Sequence, residues 1–256
     1  MSNRQREIVL PEDDARRELS RRSRRGFLIG GIAAVGAIGG YEWLRGAKQE
    51  DGTPWPERRV LQVNGKLAHA YLSNSRLMPT YSPGEITPLK TNGDLGLDQE
   101  IDPGKWSLTV TTNEGGPDLT LLLRDIQALP RVEMITRFCC IEGWSTISRW
   151  AGARFSDFTR KYYPPGRKLT KYVSLTTPDE EYYVGLDMKS VLHPQTLLAY
   201  EYDGRPLTPE HGAPLRLVMP VKYGIKNLKR IGAIEYTDTQ PDDYWAEQGY
   251  DWFAGL

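Results

Sequence analysis

Arg137-Phe-Cys-Cys-Ile-Glu-Gly-Trp144 contains both cysteines of this 256-residue chain, Cys139 and Cys140, next to each other. Residues 131–138 alternate apolar and polar side chains, which predicts a strand that leads directly into the two thiols. The Glu-Gly-Trp that follows predicts a turn. The pair is therefore expected at the end of a rigid strand, which can aim a side chain at a partner.

The cysteine pair is open to four interpretations. Adjacent cysteines can close only a strained ring, which disfavours a disulfide. Two buried, inert thiols are a second interpretation. A zinc site is disfavoured because His69, His193 and His211, the three histidines of the chain, show no ligand spacing around the pair. The fourth is a single functional thiolate, which suits a soft metal or redox chemistry; the residues alone do not name the metal.

The N-terminal segment has the pattern of an export signal. Arg24 and Arg25 stand directly before an apolar, glycine-rich stretch over residues 27–44. We expect residues 1–48 to be a twin-arginine signal and membrane anchor, and residues 49–256 to be a separate domain. A simple anchor with its arginines in the cytoplasm is the alternative. In both interpretations the domain lies on the periplasmic side, and the twin-arginine route exports folded, cofactor-loaded proteins.

Composition and charge restrict the classes of partner. The chain is 39% hydrophobic and 10% aromatic, which is ordinary for a globular protein. Its formal net charge is zero, and arginines are concentrated in the N-terminal segment. The remaining chain therefore lacks the basic surface that a nucleic-acid backbone requires, and nucleic acid is not expected as a partner.

The order of predicted elements indicates one α+β domain. Long loops over residues 73–104 precede short elements that show neither a repeat nor βαβ alternation. Strands are predicted over 105–112, 131–138, 171–176, 196–202, 214–220 and 231–237, and helices over 119–129 and 155–163. Asp203-Gly204 predicts a hairpin turn after the strand over 196–202. The expected architecture is mixed sheets with short helices and long loops.

Further motifs accompany the cysteine pair in a fixed order. They are Cys140-Ile-Glu-Gly-Trp-Ser145, His193-Pro-Gln-Thr-Leu-Leu-Ala-Tyr-Glu-Tyr-Asp-Gly, His211-Gly-Ala-Pro-Leu-Arg216-Leu-Val-Met-Pro220, Lys222-Tyr-Gly-Ile-Lys226-Asn-Leu-Lys229-Arg-Ile and Asp243-Tyr-Trp-Ala-Glu-Gln-Gly-Tyr-Asp-Trp. The ordered set resembles the sulfite oxidase superfamily of molybdenum enzymes. It is close to the bacterial, monomeric branch that includes the catalytic subunit of protein-methionine-sulfoxide reductase.

The resemblance implies a sulfite oxidase-type molybdopterin-binding fold with a Mo-molybdopterin cofactor. Cys140 matches the family's molybdenum ligand and is the expected metal-binding and catalytic residue, whereas Cys139 is expected to be a passive buried neighbour. Glu142 and Trp144 are expected to support the ligand loop. The other implied cofactor-binding residues are Asn92, Ser174, His211, Arg216, Lys226, Asn227 and Lys229. A guanidinium offers a planar fork to phosphate and lysines act as mobile charges, although a solvated basic face would also explain the lysine cluster.

The resemblance also implies an activity. We expect an exported oxidoreductase that transfers an oxygen atom to or from a small-molecule or protein-bound substrate. It would act as a monomer with a separate electron-transfer partner, such as a membrane haem b protein. Sulfite oxidases of the family carry arginine where this chain has Ser145, which favours a reductase. A sulfite-oxidising dehydrogenase on the same cofactor and a metal-free exported binding module are the alternatives, because fold alone does not establish function.

Overall fold

A computed structural model describes residues 12–88, 90–98, 101–112 and 117–256. It divides into two compact units. The first comprises the chain up to Glu50 together with Pro54–Pro56, and the second comprises Asp51–Thr53 together with Glu57–Leu256. The second unit contains the motifs that start at Cys140, so the candidate site is built from that unit alone.

A long helix, α1 (Glu12–Arg45), dominates the first unit. Its segment Ser20–Arg45 is long and apolar enough to cross a membrane by length and composition, and within the described parts of the chain it is the one helix that is. Large apolar side chains of α1 such as Phe27 and Ile32 are exposed. The helix is therefore compatible with either a signal sequence or an anchor.

The remaining chain alternates short strands and short helices. In chain order the elements are β1 (Gln49–Glu50), β2 (Thr53–Pro54), α2 (Trp55–Tyr71), β3 (Leu108–Thr112), β4 (Leu119–Leu121), α3 (Leu123–Gln127), β5 (Arg131–Cys139), β6 (Ser145–Arg154), α4 (Phe155–Tyr162), β7 (Tyr172–Thr176), β8 (Tyr183–Asp187), α5 (Met188–Val191), β9 (Leu197–Tyr202), β10 (Arg205–Pro206), β11 (Arg216–Val218), β12 (Ala233–Thr237) and α6 (Tyr244–Glu247). Short 3-10 turns lie at Pro83–Glu85, Pro209–His211 and Gly224–Lys226.

One antiparallel sheet has the order β10-β9-β6-β5, and β11 also pairs with β9. β5 pairs with β6 along its whole length, so that Cys139 lies opposite Ser145 at the closed end of the hairpin. The predicted turn between β9 and β10 is confirmed. Asp203 and Gly204 both have positive φ, at 48° and 74°, as two-residue hairpin turns require.

A second, mixed sheet has the order β4-β3-β12-β7-β8. β12 runs parallel to β3 and antiparallel to β7. Buried side chains from both sheets and from α4 form one core cluster, which includes Leu198, Leu217, Leu175, Tyr236 and Phe158. One antiparallel sheet and one mixed sheet, together with short helices, confirm the predicted α+β class.

The prediction of one helix over residues 119–129 is wrong in its first half. Leu119–Leu121 forms β4, which pairs with β3 at the edge of the second sheet. The helix α3 starts only afterwards. The carboxylate of Asp125 accepts a hydrogen bond of 2.8 Å from the backbone N–H of Leu122 and so satisfies a donor at the helix start.

The helix α2, which starts at Trp55, was not among the predicted elements. The helix is docked by a charged residue rather than by an apolar one. Arg58 is buried and donates to the backbone carbonyls of Ala246, Tyr250 and Asp51. Because arginine normally lies on the surface, sequence patterns do not reveal this kind of docking.

Candidate active site

The thiol of Cys140 is held at the tip of the β5–β6 hairpin. The backbone N–H of Cys140 donates to the carbonyl of Trp144 at 2.9 Å, and the N–H of Gly143 donates back to the carbonyl of Cys140 at 3.2 Å. Gly143 has φ of +88°, which a residue with a side chain adopts only with strain. This tight turn fixes Cys140, which is 8% exposed, at the edge of a pocket.

The two cysteines have different surroundings. Cys140 lines the pocket, whereas Cys139 does not and is only half-buried. Both are free thiols, so the disfavoured disulfide is absent from the structure. Burial raises the pKa of Cys139 above its ordinary value, which keeps that thiol protonated and unreactive at neutral pH.

Six of the eight predicted site residues lie together around this pocket. They are Asn92, Cys140, His211, Arg216, Asn227 and Lys229. They come from a loop before β3, the β5–β6 hairpin, the turn before β11, β11 itself and the loop after it. Residues distant in sequence therefore converge, which is the arrangement of a ligand site.

Arg216 is the most deeply buried charge in the pocket. It is 3% exposed, and its guanidinium donates to the backbone carbonyls of His211, Asn227 and Leu217 at 3.0, 3.3 and 3.4 Å. It also lies over the ring of Trp150, 4.7 Å from the centroid. Burial lowers the pKa of Arg216 to about 10.

No carboxylate within the described ranges forms an ion pair with Arg216. A fully buried cation without an opposite charge is costly, because desolvation is not offset by attraction. Its three carbonyl partners hold the side chain in place but do not neutralise it. The arrangement indicates an anionic ligand as the missing partner.

Lys229 supplies a second positive charge. Its ammonium donates to the backbone carbonyls of Asn92 and Gly93 at 3.0 and 2.8 Å, so it connects two loops across the pocket. Burial, followed by the nearby charge of Arg216, lowers the pKa of Lys229 to about 8. Two cations in one pocket raise its preference for an anion.

His211 is a neutral member of the same group. Burial, and then the charge of Arg216, lower the pKa of His211 below its ordinary value, so that the imidazole is uncharged at neutral pH. The next residue, Gly212, has φ of +91°, and a Cβ there would lie 2.8 Å from the Cβ of Lys229. Glycine thus allows the His211 and Lys229 loops to approach closely.

Polar side chains surround the thiol at the mouth of the pocket. The amide nitrogen of Asn92 lies 3.8 Å from the sulfur of Cys140 and 3.3 Å from the carboxylate of Glu142. That carboxylate also accepts a hydrogen bond of 2.7 Å from the indole of Trp144. The indole hydrogen bond is the main cause that lowers the pKa of Glu142, so the carboxylate is ionised at neutral pH and acts as an acceptor.

Asn227 lines the pocket with its amide already engaged by backbone. Its oxygen accepts from the N–H of Met219 at 2.6 Å, and its nitrogen donates to the carbonyl of Tyr223 at 3.0 Å. These two bonds hold the loop after β11 in a fixed shape. Asn227 therefore shapes the pocket wall, and its backbone carbonyl also positions Arg216.

Ser174, a predicted cofactor-binding residue, lies away from the pocket that contains Cys140. Val173 and Leu175 on either side point into the core, and strand alternation turns Ser174 to the opposite face of β7. There it lines a separate surface groove with Thr109 and Glu235. The side chain is therefore not among those that surround Cys140.

Lys226 is also not placed at the pocket. Its ammonium is 1% exposed and is held by the carboxylate of Asp243 at 2.5 Å and by the carbonyl of Gly185 at 2.9 Å. Burial lowers the pKa of Lys226, and the charge of Asp243 opposes that effect. The sequence placed it with Lys229, but its neighbour Asn227 turns toward the pocket while Lys226 turns into the core.

The Lys226–Asp243 pair is expected to stabilise the fold rather than bind the cofactor. Asp243→Ala should lower the free energy of unfolding by about 3–5 kcal/mol, because it leaves the ammonium buried without a carboxylate. Urea denaturation of the cofactor-free protein measures this change. Replacing both residues, with Lys226→Met added, should recover part of the loss and leave cofactor content unchanged. If the double variant instead lost cofactor with unchanged stability, Lys226 would be a cofactor-binding residue.

Aromatic walls of the pocket escaped the sequence analysis. Phe138, Trp150, Tyr182 and Trp245 line it. The hydroxyl of Tyr182 donates to the carbonyl of Ile225 at 2.5 Å. Trp150 lies on β6, a strand the sequence analysis did not predict, so no local signal marked it.

The protein by itself offers few metal ligands. Among the residues that the structure describes, no group of three or more His, Cys, Asp or Glu side chains could hold a metal ion. A metal at Cys140 must therefore receive further ligands from a bound group. The fold and a pocket with one thiol and two cations define a class of oxidoreductase that carries its metal on an anionic organic cofactor.

The chain belongs to the oxidoreductase molybdopterin binding domain family, whose model matches residues 95–245. This confirms the resemblance to the sulfite oxidase superfamily and identifies the chain as an oxidoreductase with a Mo-molybdopterin cofactor. The pocket fits that cofactor, since Arg216 and Lys229 suit a phosphate and Cys140 offers a soft thiolate. The partly exposed ring of Phe138 offers a flat wall to a ring system.

Two relatives that are similar in sequence agree with the family. A candidate protein-methionine-sulfoxide reductase subunit, YedZ1 of Azospira oryzae, is 40% identical over 185 residues, covering 71% of this chain and 69% of that protein. The protein-methionine-sulfoxide reductase catalytic subunit MsrP of Campylobacter jejuni is 34% identical over 181 residues, covering 63% of this chain and 60% of that protein. The sulfane dehydrogenase SoxCD of Paracoccus pantotrophus matches 56% of this chain and 40% of its own with 18% identity and a TM-score of 0.49.

Proposed function

We propose that this chain is an exported, membrane-anchored reductase that removes an oxygen atom from a sulfoxide, with Cys140 as the molybdenum ligand. The observation that carries the proposal is that the thiol of Cys140 shares one pocket with the buried Arg216, which has no carboxylate partner among the described residues. Relatives named as protein-methionine-sulfoxide reductases support the sulfoxide as substrate. Methionine sulfoxide is the sulfoxide that proteins contain.

The cofactor, when bound, would supply the two-electron chemistry of oxygen-atom transfer. The residues of this chain bind and orient it. Arg216 and Lys229 would hold the phosphate, and the neutral His211 offers a hydrogen bond without adding charge. Cys140 would hold the metal at the mouth of the pocket, and Asn92 and Glu142 fix polar atoms around the sulfur.

The overall reaction requires two electrons and two protons for each sulfoxide, and yields a thioether and water. We assign the electrons to a separate membrane haem protein, which would meet the anchored enzyme at the same membrane. The arginine pair Arg24-Arg25 and the apolar helix segment Ser20–Arg45 support export by the twin-arginine route with the helix retained as an anchor. Residues 49–256 would then act as a monomeric enzyme on the periplasmic side.

Purified full-length protein from a cofactor-competent host tests the proposal. We expect near-stoichiometric molybdenum by elemental analysis and reduction of methionine sulfoxide with a reduced viologen dye as electron donor. Sulfite oxidation with ferricyanide is expected to be much slower. Faster sulfite oxidation would instead support the sulfite-oxidising alternative, and protein without molybdenum would support the metal-free binding module.

Cofactor retention is expected to depend on pH through Lys229. Its pKa in the pocket is about 8, and an anionic cofactor binds the protonated amine better. Retention should therefore be strongest below pH 8 and weaken as the pH rises, by about tenfold in affinity between pH 7 and pH 9. Equilibrium dialysis followed by molybdenum analysis measures this. Lys229→Arg should flatten the profile because a guanidinium stays charged; an unchanged slope in that variant would contradict the assignment.

A further inference from the structure

The outer face of α2 carries an apolar stripe. Val60, Val63, Leu67 and Tyr71 follow at intervals of three and four residues and therefore share one side of the helix. They are 59%, 54%, 64% and 64% exposed. The buried residues of the helix, Arg58 and Gly65, lie on the other side. An amphipathic helix normally turns its apolar side inward, so this stripe requires a partner outside the described structure.

The stripe has the chemistry of a helix at a lipid surface. It is narrow and aliphatic, with a tyrosine at its last position, and Arg59 and Lys66 flank it along one edge of the helix. Helices that lie in the membrane interface combine an apolar face with basic residues that meet anionic headgroups. Protein interfaces are instead enriched in large aromatic anchors that fill pockets, whereas Tyr71 lies at the end of this stripe with the guanidinium of Arg76 over its ring.

The chain itself brings α2 to a membrane. The apolar helix segment ends at Arg45 and α2 starts at Trp55. An extended chain gains at most about 3.5 Å per residue, so this connection spans no more than about 35 Å. If α1 is anchored as proposed above, the start of α2 cannot leave the neighbourhood of the bilayer. A lipid surface is then the partner that is always within reach of the stripe.

We propose that the stripe formed by Val60, Val63, Leu67 and Tyr71 lies on the lipid surface and gives the catalytic unit a second, reversible contact with the membrane. The contact restricts the orientations of the unit, which a flexible tether alone would leave open. The inference rests on the proposed anchoring of α1, and it is independent of the proposed substrate.

Spin labels on the full-length holoprotein test this contact. The background is Cys139→Ser, because Cys139 is the half-buried thiol outside the pocket. Separate labels replace Val63 and Leu67 in the stripe, Gln62 on the opposite side of α2, and Val35 in α1. Each protein is reconstituted into vesicles of phosphatidylethanolamine and phosphatidylglycerol without any other protein. Power saturation then compares the access of oxygen with that of a water-soluble nickel complex.

Labels at positions 63 and 67 should be at least about threefold less accessible to nickel than the label at position 62, and more accessible to oxygen. Leu67→Asp should remove the protection at position 63 and leave position 35 protected. Nickel access at 63 and 67 equal to that at 62, with 35 protected, would overturn the proposal and leave the anchor standing. Nickel access at all four positions would also overturn the proposal that α1 is a membrane anchor. Spin–spin broadening, or protection that appears only with an added membrane protein, would show that the stripe binds a protein and not lipid.

Discussion

Cys140→Ser is expected to abolish activity in the purified enzyme. The hydroxyl of serine is a harder ligand with a much higher pKa, and it does not reproduce the donor properties of a thiolate. We expect the rate of methionine sulfoxide reduction to fall at least about a thousandfold, which corresponds to about 4 kcal/mol of transition-state stabilisation. The fold should remain, because the turn that holds Cys140 is made by backbone hydrogen bonds to Trp144 and Gly143. Circular dichroism and viologen-dye oxidation measure the two properties separately.

Cys139→Ser is the matched control for that substitution. It makes the same replacement of sulfur by oxygen one residue earlier in the chain, but outside the pocket. We expect activity within about twofold of the unmodified enzyme and a small change in stability, as for most substitutions away from a site. If Cys139→Ser were inactive and Cys140→Ser active, the ligand would be Cys139 and the proposed site would be wrong.

Local patterns in the sequence predicted the strands that have regular alternation. Residues 131–138 were predicted as a strand, and β5 covers Arg131–Cys139. The strand at Leu119–Leu121 was not predicted, because Leu-Thr-Leu directly before a helix resembles the first turn of that helix. Only its pairing with β3 makes this segment a strand. The helix α2 was missed because its docking depends on the buried Arg58, whose partners Ala246 and Tyr250 are distant in sequence.

The candidate site was predicted from motifs. A motif gives the identity of each residue but not the direction in which its side chain points. Arg216 and Lys229 were proposed together, and the structure places both at the pocket. Lys226 stands in the same motif and points into the core, because a 3-10 turn over Gly224–Lys226 rotates it toward Asp243. The alternation along β7 indicates that Ser174 faces away from the core, since its neighbours Val173 and Leu175 are apolar.

The buried charges of Lys226 and Arg216 differ in how they are neutralised. Lys226 has Asp243 at hydrogen-bonding distance and is complete without a ligand. Arg216 is equally buried, and its hydrogen bonds go only to neutral carbonyls. Since an uncompensated buried charge is unfavourable, the cofactor-free protein carries a cost at Arg216 that an anion removes. The pocket is therefore built for a charged ligand rather than for a neutral one.

Arg216→Met is accordingly expected to lower cofactor affinity by about a hundredfold or more, since two hydrogen bonds from a guanidinium to phosphate contribute about 3 kcal/mol or more. Molybdenum content of the purified protein should fall with it. The cofactor-free variant should unfold within about 1 kcal/mol of the unmodified protein, because removing the uncompensated charge offsets the lost bonds to the carbonyls of His211 and Asn227. Arg216→Lys should be intermediate, because it keeps the charge and loses the planar fork.

Arg230→Met is the matched control, because Arg230 is also 3% exposed and also donates to backbone carbonyls, those of Ala213 and Leu97, but does not line the pocket. It should lower the stability of the cofactor-free protein and leave cofactor affinity unchanged. Binding of the cofactor raises the unfolding temperature only where the site is intact, so thermal unfolding with and without cofactor separates the two roles. Full molybdenum content in Arg216→Met, or equal stability losses in both variants, would show that Arg216 only supports the fold, and the anion site would have to lie elsewhere.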